Sequence, residues 1–171
     1  MKITLIATIL AFTIPLINPA YAAPEEFRLE ILDTHNDFRA LHDSPELQWD
    51  NALADYAERH ASQCEFKHTH GPYGENLAAG YPTAEAALTA WYDEQRFYSY
   101  ANPQFSMSTG HFTQMVWKST RKVGCALIPC NGRHGTPGNY LVCEYSPAGN
   151  VVAPGYFAKN VTPAQPSQAK A

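Results

Sequence analysis

Two histidines and two glutamates, His68, Glu75, Glu94 and His111, are the residues of this chain whose types could do chemistry together. His68 and Glu75 flank a Gly71-Pro72-Tyr73-Gly74 turn, which folds the chain back and brings an imidazole to a carboxylate. Glu94 follows Trp91 by three residues and Leu88 by six, a spacing that aims its carboxylate at the buried side of a helix, where an unpaired charge is costly. His111 opens a short helical run, an exposed start from which ring nitrogens can face a cleft. Two neutral imidazoles with carboxylates suit a divalent metal of the zinc type, the carboxylates fixing the ring tautomers and water completing the shell. A metal-free hydrogen-bonded network that satisfies buried polar groups is the other arrangement open to these residues. Spacing alone does not assemble the four. His70 is a spare imidazole beside His68, His35 and His42 read as helix-face residues, and His60 and His134 as surface ones.

Hydrolysis would need a nucleophile paired with a base. Ser108 and Thr109 lie close to His111 in sequence, but there is no Gly-x-Ser-x-Gly elbow and no His-Glu-x-x-His helix. The expectation is therefore a protein without covalent catalysis.

The elements that must hold these residues are helical first and extended later. Phe27, Ile31, Phe38 and Leu41, with His35 on the same stripe, mark an amphipathic helix that ends at Asp43-Ser44-Pro45-Glu46. Leu47-Gln48-Trp49 is a short extended link, and Asp50 caps a second helix whose Leu53, Ala54, Ala57 and Ala61 form a closely packing face. A third helix starts at Thr83 and buries Ala84, Ala87, Leu88 and Trp91; the fourth runs from about His111 to Trp117. Val123 to Ile128 and Asn139 to Tyr145 are strand-like and joined by a glycine- and proline-rich loop. Helices followed by an antiparallel hairpin predict an α+β fold with helices covering a sheet.

Between the third and fourth helices lie four aromatics in nine residues, Phe97, Tyr98, Tyr100 and Phe105, with Asn102-Pro103 preventing helix continuation. Rings on a loop either pack inward as a lid, a role expected of Phe97, or form a binding surface.

The whole chain bounds these readings. Met1 to Ala22 has one positive residue, Lys2, an apolar run from Ile3 to Ile17 and a small-x-small ending, Ala20-Tyr21-Ala22. It reads as a secretory signal, too short and wrongly flanked for a membrane span, and the product as soluble and extracellular. Residues 23–156 make one domain, and 157–171 a Pro/Gln/Ala-rich tail expected to be disordered. A net charge of −4 without a basic patch argues against nucleic acid. Cys64, Cys125, Cys130 and Cys143 suggest two disulfides in one of three pairings. Asn160-Val161-Thr162 is a formal glycosylation sequon, disfavoured by Pro163.

Four ordered segments carry a family resemblance: Gly74-Glu75-Asn76-Leu77, Ala90-Trp91-Tyr92-Asp93-Glu94, Gly110-His111-Phe112-Thr113-Gln114-Met115-Val116-Trp117, and Tyr140 to Asn150 with Cys143-Glu144-Tyr145 at its centre. Together they resemble the CAP superfamily (cysteine-rich secretory proteins, antigen 5, pathogenesis-related protein 1), and look most like its secreted fungal pathogenesis-related members. The resemblance covers roughly Phe27 to Tyr156. It implies an α-β-α sandwich, disulfides Cys64–Cys130 and Cys125–Cys143, and a central-cleft tetrad of His68, Glu75, Glu94 and His111, in which the residue types make His68 and His111 the metal ligands. It also implies that Phe97, Tyr98, Tyr100, Asn102, Pro103 and Phe105 form a sterol-binding loop, and that Ile31, Phe38, Leu41 and Met115 line a fatty-acid groove. Binding of sterols or fatty acids for export or sequestration is the leading functional expectation. Recognition by a receptor or action at a cell wall, in virulence or defence, is the alternative, and metal-dependent hydrolysis the third.

Overall fold

A computed structural model describes residues 23–165; the expected signal, 1–22, and the end of the expected tail, 166–171, lie outside them. Helix α1 (Glu25–Leu41) starts with Glu25 and Glu26 in its first turn, where negative charge complements the helix dipole. Its fully buried stripe is Ile31, His35 and Arg39, residues four apart on one face. The predicted stripe is thus rotated: Phe38 is half-buried, Leu41 is exposed, and a polar pair lies inside. Arg39 is tolerated there because its guanidinium donates to the carbonyls of Pro45, Met115, Trp117 and Thr120 at 2.7–3.1 Å, clamping the chain on either side of the sheet's first strand.

Strand β1 (Gln48–Trp49) leads to Asp50, whose carboxylate accepts the amides of Ala52 and Leu53 and so starts α2 (Asn51–Ala61). Strand β2 (Gly74–Tyr81) follows, and then α3 (Ala84–Asp93), capped by the Thr83 hydroxyl and continued by a 3₁₀ turn, Glu94–Phe97. After the aromatic loop come α4 (Gly110–Met115), the hairpin strands β3 (Lys122–Pro129) and β4 (Asn139–Ser146), and α5 (Tyr156–Asn160). The sheet runs β1-β3-β4-β2, with β1 parallel to β3 and the other pairs antiparallel. The hairpin is as expected. Strand β2 is not: its Gly-Glu-Asn-Leu-Ala-Ala-Gly-Tyr sequence has no β-branched residue, and pairing with β4 overrides weak propensity.

Strand alternation sorts the core into two layers. Tyr140 and Val142 on β4, Ala126 on β3 and Leu77 on β2 face α2, where Ala57 and Ala61 complete a compact cluster. The helix lies so close that a Cβ at Gly124 would fall 2.2 Å from the Ala54 nitrogen. The opposite face presents Leu141, Cys143 and Tyr145 to a larger core with Ile31, Leu88, Trp91, Phe112 and Met115. The protein is an α-β-α sandwich of the α+β class. Cys125 and Cys143 are register partners joined across β3 and β4, and Cys64–Cys130 ties the end of α2 to the hairpin loop. Both pairings are those the resemblance implied.

The domain does not stop at Tyr156. Phe157 and Val161 are buried, Phe157 edge-on to Trp117, so the first part of the expected disordered tail is a helix sealing the core. Asn160 is buried as well, its Oδ1 accepting from the Ser119 amide and hydroxyl, which leaves the formal sequon no room for a glycan.

Candidate functional site

The four predicted residues form two imidazole–carboxylate pairs. Glu75 sits on β2, the edge strand, and His68 on the segment after α2; His68 Nδ1 lies 2.6 Å from Glu75 Oε1. The amide and hydroxyl of Thr69 also donate to that carboxylate, at 3.0 and 2.8 Å. Burial alone would raise the Glu75 carboxyl, but the hydrogen bonds from His68 and Thr69 outweigh it and hold the group down at about 2. The same carboxylate, against some loss of solvation, raises His68 above its ordinary value.

Glu94 stands where α3 gives way to the 3₁₀ turn, with its carboxylate directed at the first turn of α4. Its Oε2 accepts the amides of His111 and Phe112 at 3.0 and 3.1 Å, and its Oε1 lies 2.7 Å from His111 Nδ1. The expectation that something must satisfy this acid is met by helix amides as well as by imidazole. Trp91 stacks on the His111 ring, centroids 5.6 Å apart, and Asn76 on β2 donates to the His111 carbonyl. The segment after β4 closes the frame: Gly149 donates to Gln114 Oε1, and Asn150 binds the Gly110 carbonyl and the Thr113 hydroxyl. A Cβ at Gly74 or Gly149 would collide with the Gln114 side chain, at 2.1 and 2.7 Å.

Both pairs open on one cleft of about 520 Å³, lined by His68, Glu75 and His111 on the polar side and by Phe66, Leu77, Phe105 and Met107 on the apolar side. Glu94 lines an adjoining hollow of about 300 Å³ with His111, Trp91, Leu77 and Phe66. Each tetrad imidazole commits Nδ1 to its carboxylate, which leaves Nε2 as the ligand atom. The donor set therefore fits a two-histidine metal site.

The aromatic loop divides differently from expectation. Phe97, expected as a lid, is 66% exposed, whereas Tyr98 is buried edge-on to Phe112 and Tyr100 packs against Tyr98. Asn102 is exposed and Pro103 half-buried, while Phe105 reaches the cleft. Tyr98 and Tyr100 are thus supports, and Phe105 with Met107, which is 81% exposed, presents the apolar surface. The residues of the expected fatty-acid groove do not line one surface: Ile31 and Met115 are fully buried, Phe38 stacks on Tyr92 at 3.9 Å, and Leu41 is exposed.

Two further residues escape the sequence reading. His60, read as a surface residue, is buried beneath the cleft with Nδ1 3.1 Å from Glu75 Oε2, and Glu144 is the register partner of Glu75 on β4. Signals for both existed. His60 follows Ala57 by three on the small-residue face of α2, and Glu144 falls on the same strand face as Tyr140 and Val142. His35 and His42 are also fully buried, each bridging a carbonyl and a tyrosine hydroxyl.

Comparison with known proteins agrees with this geometry. Residues 32–145 match the model of the Cysteine-rich secretory protein family, CAP. Repressed by EFG1 protein 1 of Candida albicans is 46% identical over 153 residues, covering 82% of this chain and 55% of that protein. Protein PRY2 of Saccharomyces cerevisiae is 47% identical, covering 81% of this chain and 42% of its own length. The chain thus spans about half the length of these fungal relatives. Pathogenesis-related protein 1B of Nicotiana tabacum is 38% identical, with 86% of this chain and 89% of that protein aligned. Among solved structures, NaASP2 with Zn2+ superposes with a TM-score of 0.65 at 26% identity, over 83% of this chain and 87% of that one. On the matched motifs, the two disulfides and the sandwich that frames the cleft, the chain belongs to the CAP family of cysteine-rich secretory proteins.

Proposed function

We propose that the protein is an extracellular carrier of apolar ligands of the sterol or fatty-acid class, working by desolvation and not by covalent chemistry. The observation that carries this reading is the two-sided cleft: Phe66, Leu77, Phe105 and Met107 offer an apolar bed beside the polar edge of His68, Glu75 and His111. Such an arrangement suits a ligand with an apolar body and one polar group. Phe66, Phe105 and Met107 are exposed in the free protein, and covering them would contribute roughly 25 cal/mol per Å2 of apolar area removed from water. Support for a non-catalytic role lies in the nucleophile inventory. Among the described residues every cysteine is in a disulfide, and the Ser106 and Ser108 hydroxyls bind each other at 2.9 Å.

A divalent metal of the zinc type fits the same cleft, held by Nε2 of His68 and His111 with Glu75 and Glu94 orienting the rings. When bound, it would act as a Lewis acid toward a hydroxyl or carboxylate of the ligand. NaASP2, the zinc-containing relative, supports this at the level of the family. The test is direct binding of a fluorescent sterol and a fluorescent fatty acid to the purified protein, with and without chelator. Saturable, competable binding is expected; its absence at micromolar protein would move the account to recognition by a receptor.

A further inference from the structure

Beneath the cleft lies a second constellation that the tetrad does not use. Strand pairing sets Glu144 directly opposite Glu75, and α2 lays His60 over them. Among the described residues this trio is the one cluster in which three histidine, cysteine or acidic ligand atoms come within 4.8 Å of one another. Its inner members are poorly satisfied: Nε2 of His60 and both oxygens of Glu144 have no hydrogen bond of regular geometry, and His60 Nδ1 has only the Glu75 carboxylate at 3.1 Å, although the residues are 4% and 1% exposed. Polar groups buried to this degree are almost always satisfied, so three unpartnered atoms in a cluster with one ligand atom from each residue indicate a missing partner. No lysine or arginine among the described residues pairs with either acid, whose ion-pair contacts are limited to those of Glu75 with His60 and His68.

We propose that His60, Glu75 and Glu144 form a buried site for one divalent metal ion, separate from the cleft site of His68 and His111. The charges match, since two carboxylates and a neutral imidazole exactly offset a divalent cation only when both acids are ionised. The ligand types, one nitrogen and two oxygens, suit zinc or a neighbouring first-row metal, with water filling the fourth position. Ligands about 2.0–2.2 Å from zinc stand roughly 3.4 Å apart, a spacing inside the 4.8 Å that bounds the ligand atoms of the trio. Glu75 joins the two levels: Oε1 is turned to His68 at the cleft and Oε2 to His60 below.

The experiment uses chelator-stripped protein carrying His111→Ala, which disables the cleft site while leaving the trio and its neighbours intact. Isothermal titration with Zn2+ is expected to show one equivalent bound in this background. Adding His60→Gln or Glu144→Gln should weaken that binding at least tenfold, with native circular dichroism. His60→Gln leaves the strand untouched and gives the same reading if Glu144→Gln fails to fold. Zinc binding abolished by His111→Ala alone, or left unchanged by both added substitutions, would overturn the proposal.

Discussion

Glu94 and His111, seventeen residues apart, are held by one carboxylate that meets both the imidazole Nδ1 at 2.7 Å and the His111 backbone amide at 3.0 Å. The acid therefore sets the ring and the start of α4 in a single contact. Replacing it removes two hydrogen bonds to helix amides and one to the ring. Glu94→Ala is expected to destabilise the protein by about 1.5–3 kcal/mol, the range for hydrogen bonds to a charged group. Urea denaturation measures this; an unchanged midpoint would mean that water replaces the carboxylate without cost.

The aromatic loop separates binding from packing. Tyr98→Ala, which empties a space beside Phe112, is expected to cost about 3 kcal/mol in stability. Phe105→Ala and Met107→Ala leave exposed positions and should change stability by less than about 0.5 kcal/mol while weakening ligand binding. Thermal melts read beside sterol titrations check both halves.

Stability should fall with acid through His35. Burial first, opposed by its bond to the Ile31 carbonyl and reinforced by the Arg39 charge, lowers this imidazole from 6.5 to about 4. Its other nitrogen meets the Tyr145 hydroxyl. Between those two values the unfolded chain binds a proton that the native chain refuses, so the contribution is complete above pH 6.5 and lost progressively down to about pH 4. The loss amounts to about 3 kcal/mol at most. In His35→Gln, which cannot titrate, the wild-type advantage at neutral pH should shrink over this interval; a constant difference would contradict the assignment.

The disulfides should be unequal. They close segments with sequence separations of 66 for Cys64–Cys130 and 18 for Cys125–Cys143. Chain entropy then assigns about 4 and about 3 kcal/mol. Paired Cys→Ala variants compared by urea denaturation test the order.

Much of this was legible in the chain because local signals and tertiary demands agree. Asp50 and Thr83 cap the helices they precede, and the β3–β4 hairpin follows from two apolar runs around a loop of glycines and prolines. Where they disagree the sequence is silent. Strand β2 is built from residues of low strand propensity and exists because β4 pairs with it. His60 and Glu144 look solvated by type, and only the register of β2 on β4 and the seat of α2 bring them together. The tetrad was assembled by resemblance; the structure adds that it is two pairs, one anchored on the edge strand and one on a helix start. The tail failed for a different reason: Phe157 and Val161 are a short apolar pair in polar surroundings, and docking beside Trp117 orders them.

The most direct test of the central claim is titration of a fluorescent sterol into wild-type protein and into Phe105→Ala/Met107→Ala, with circular dichroism on both. The cleft account predicts saturable binding by the wild type, displaced by unlabelled ligand, and at least tenfold weaker binding by an equally well-folded variant. Equal affinity in the two proteins would contradict it.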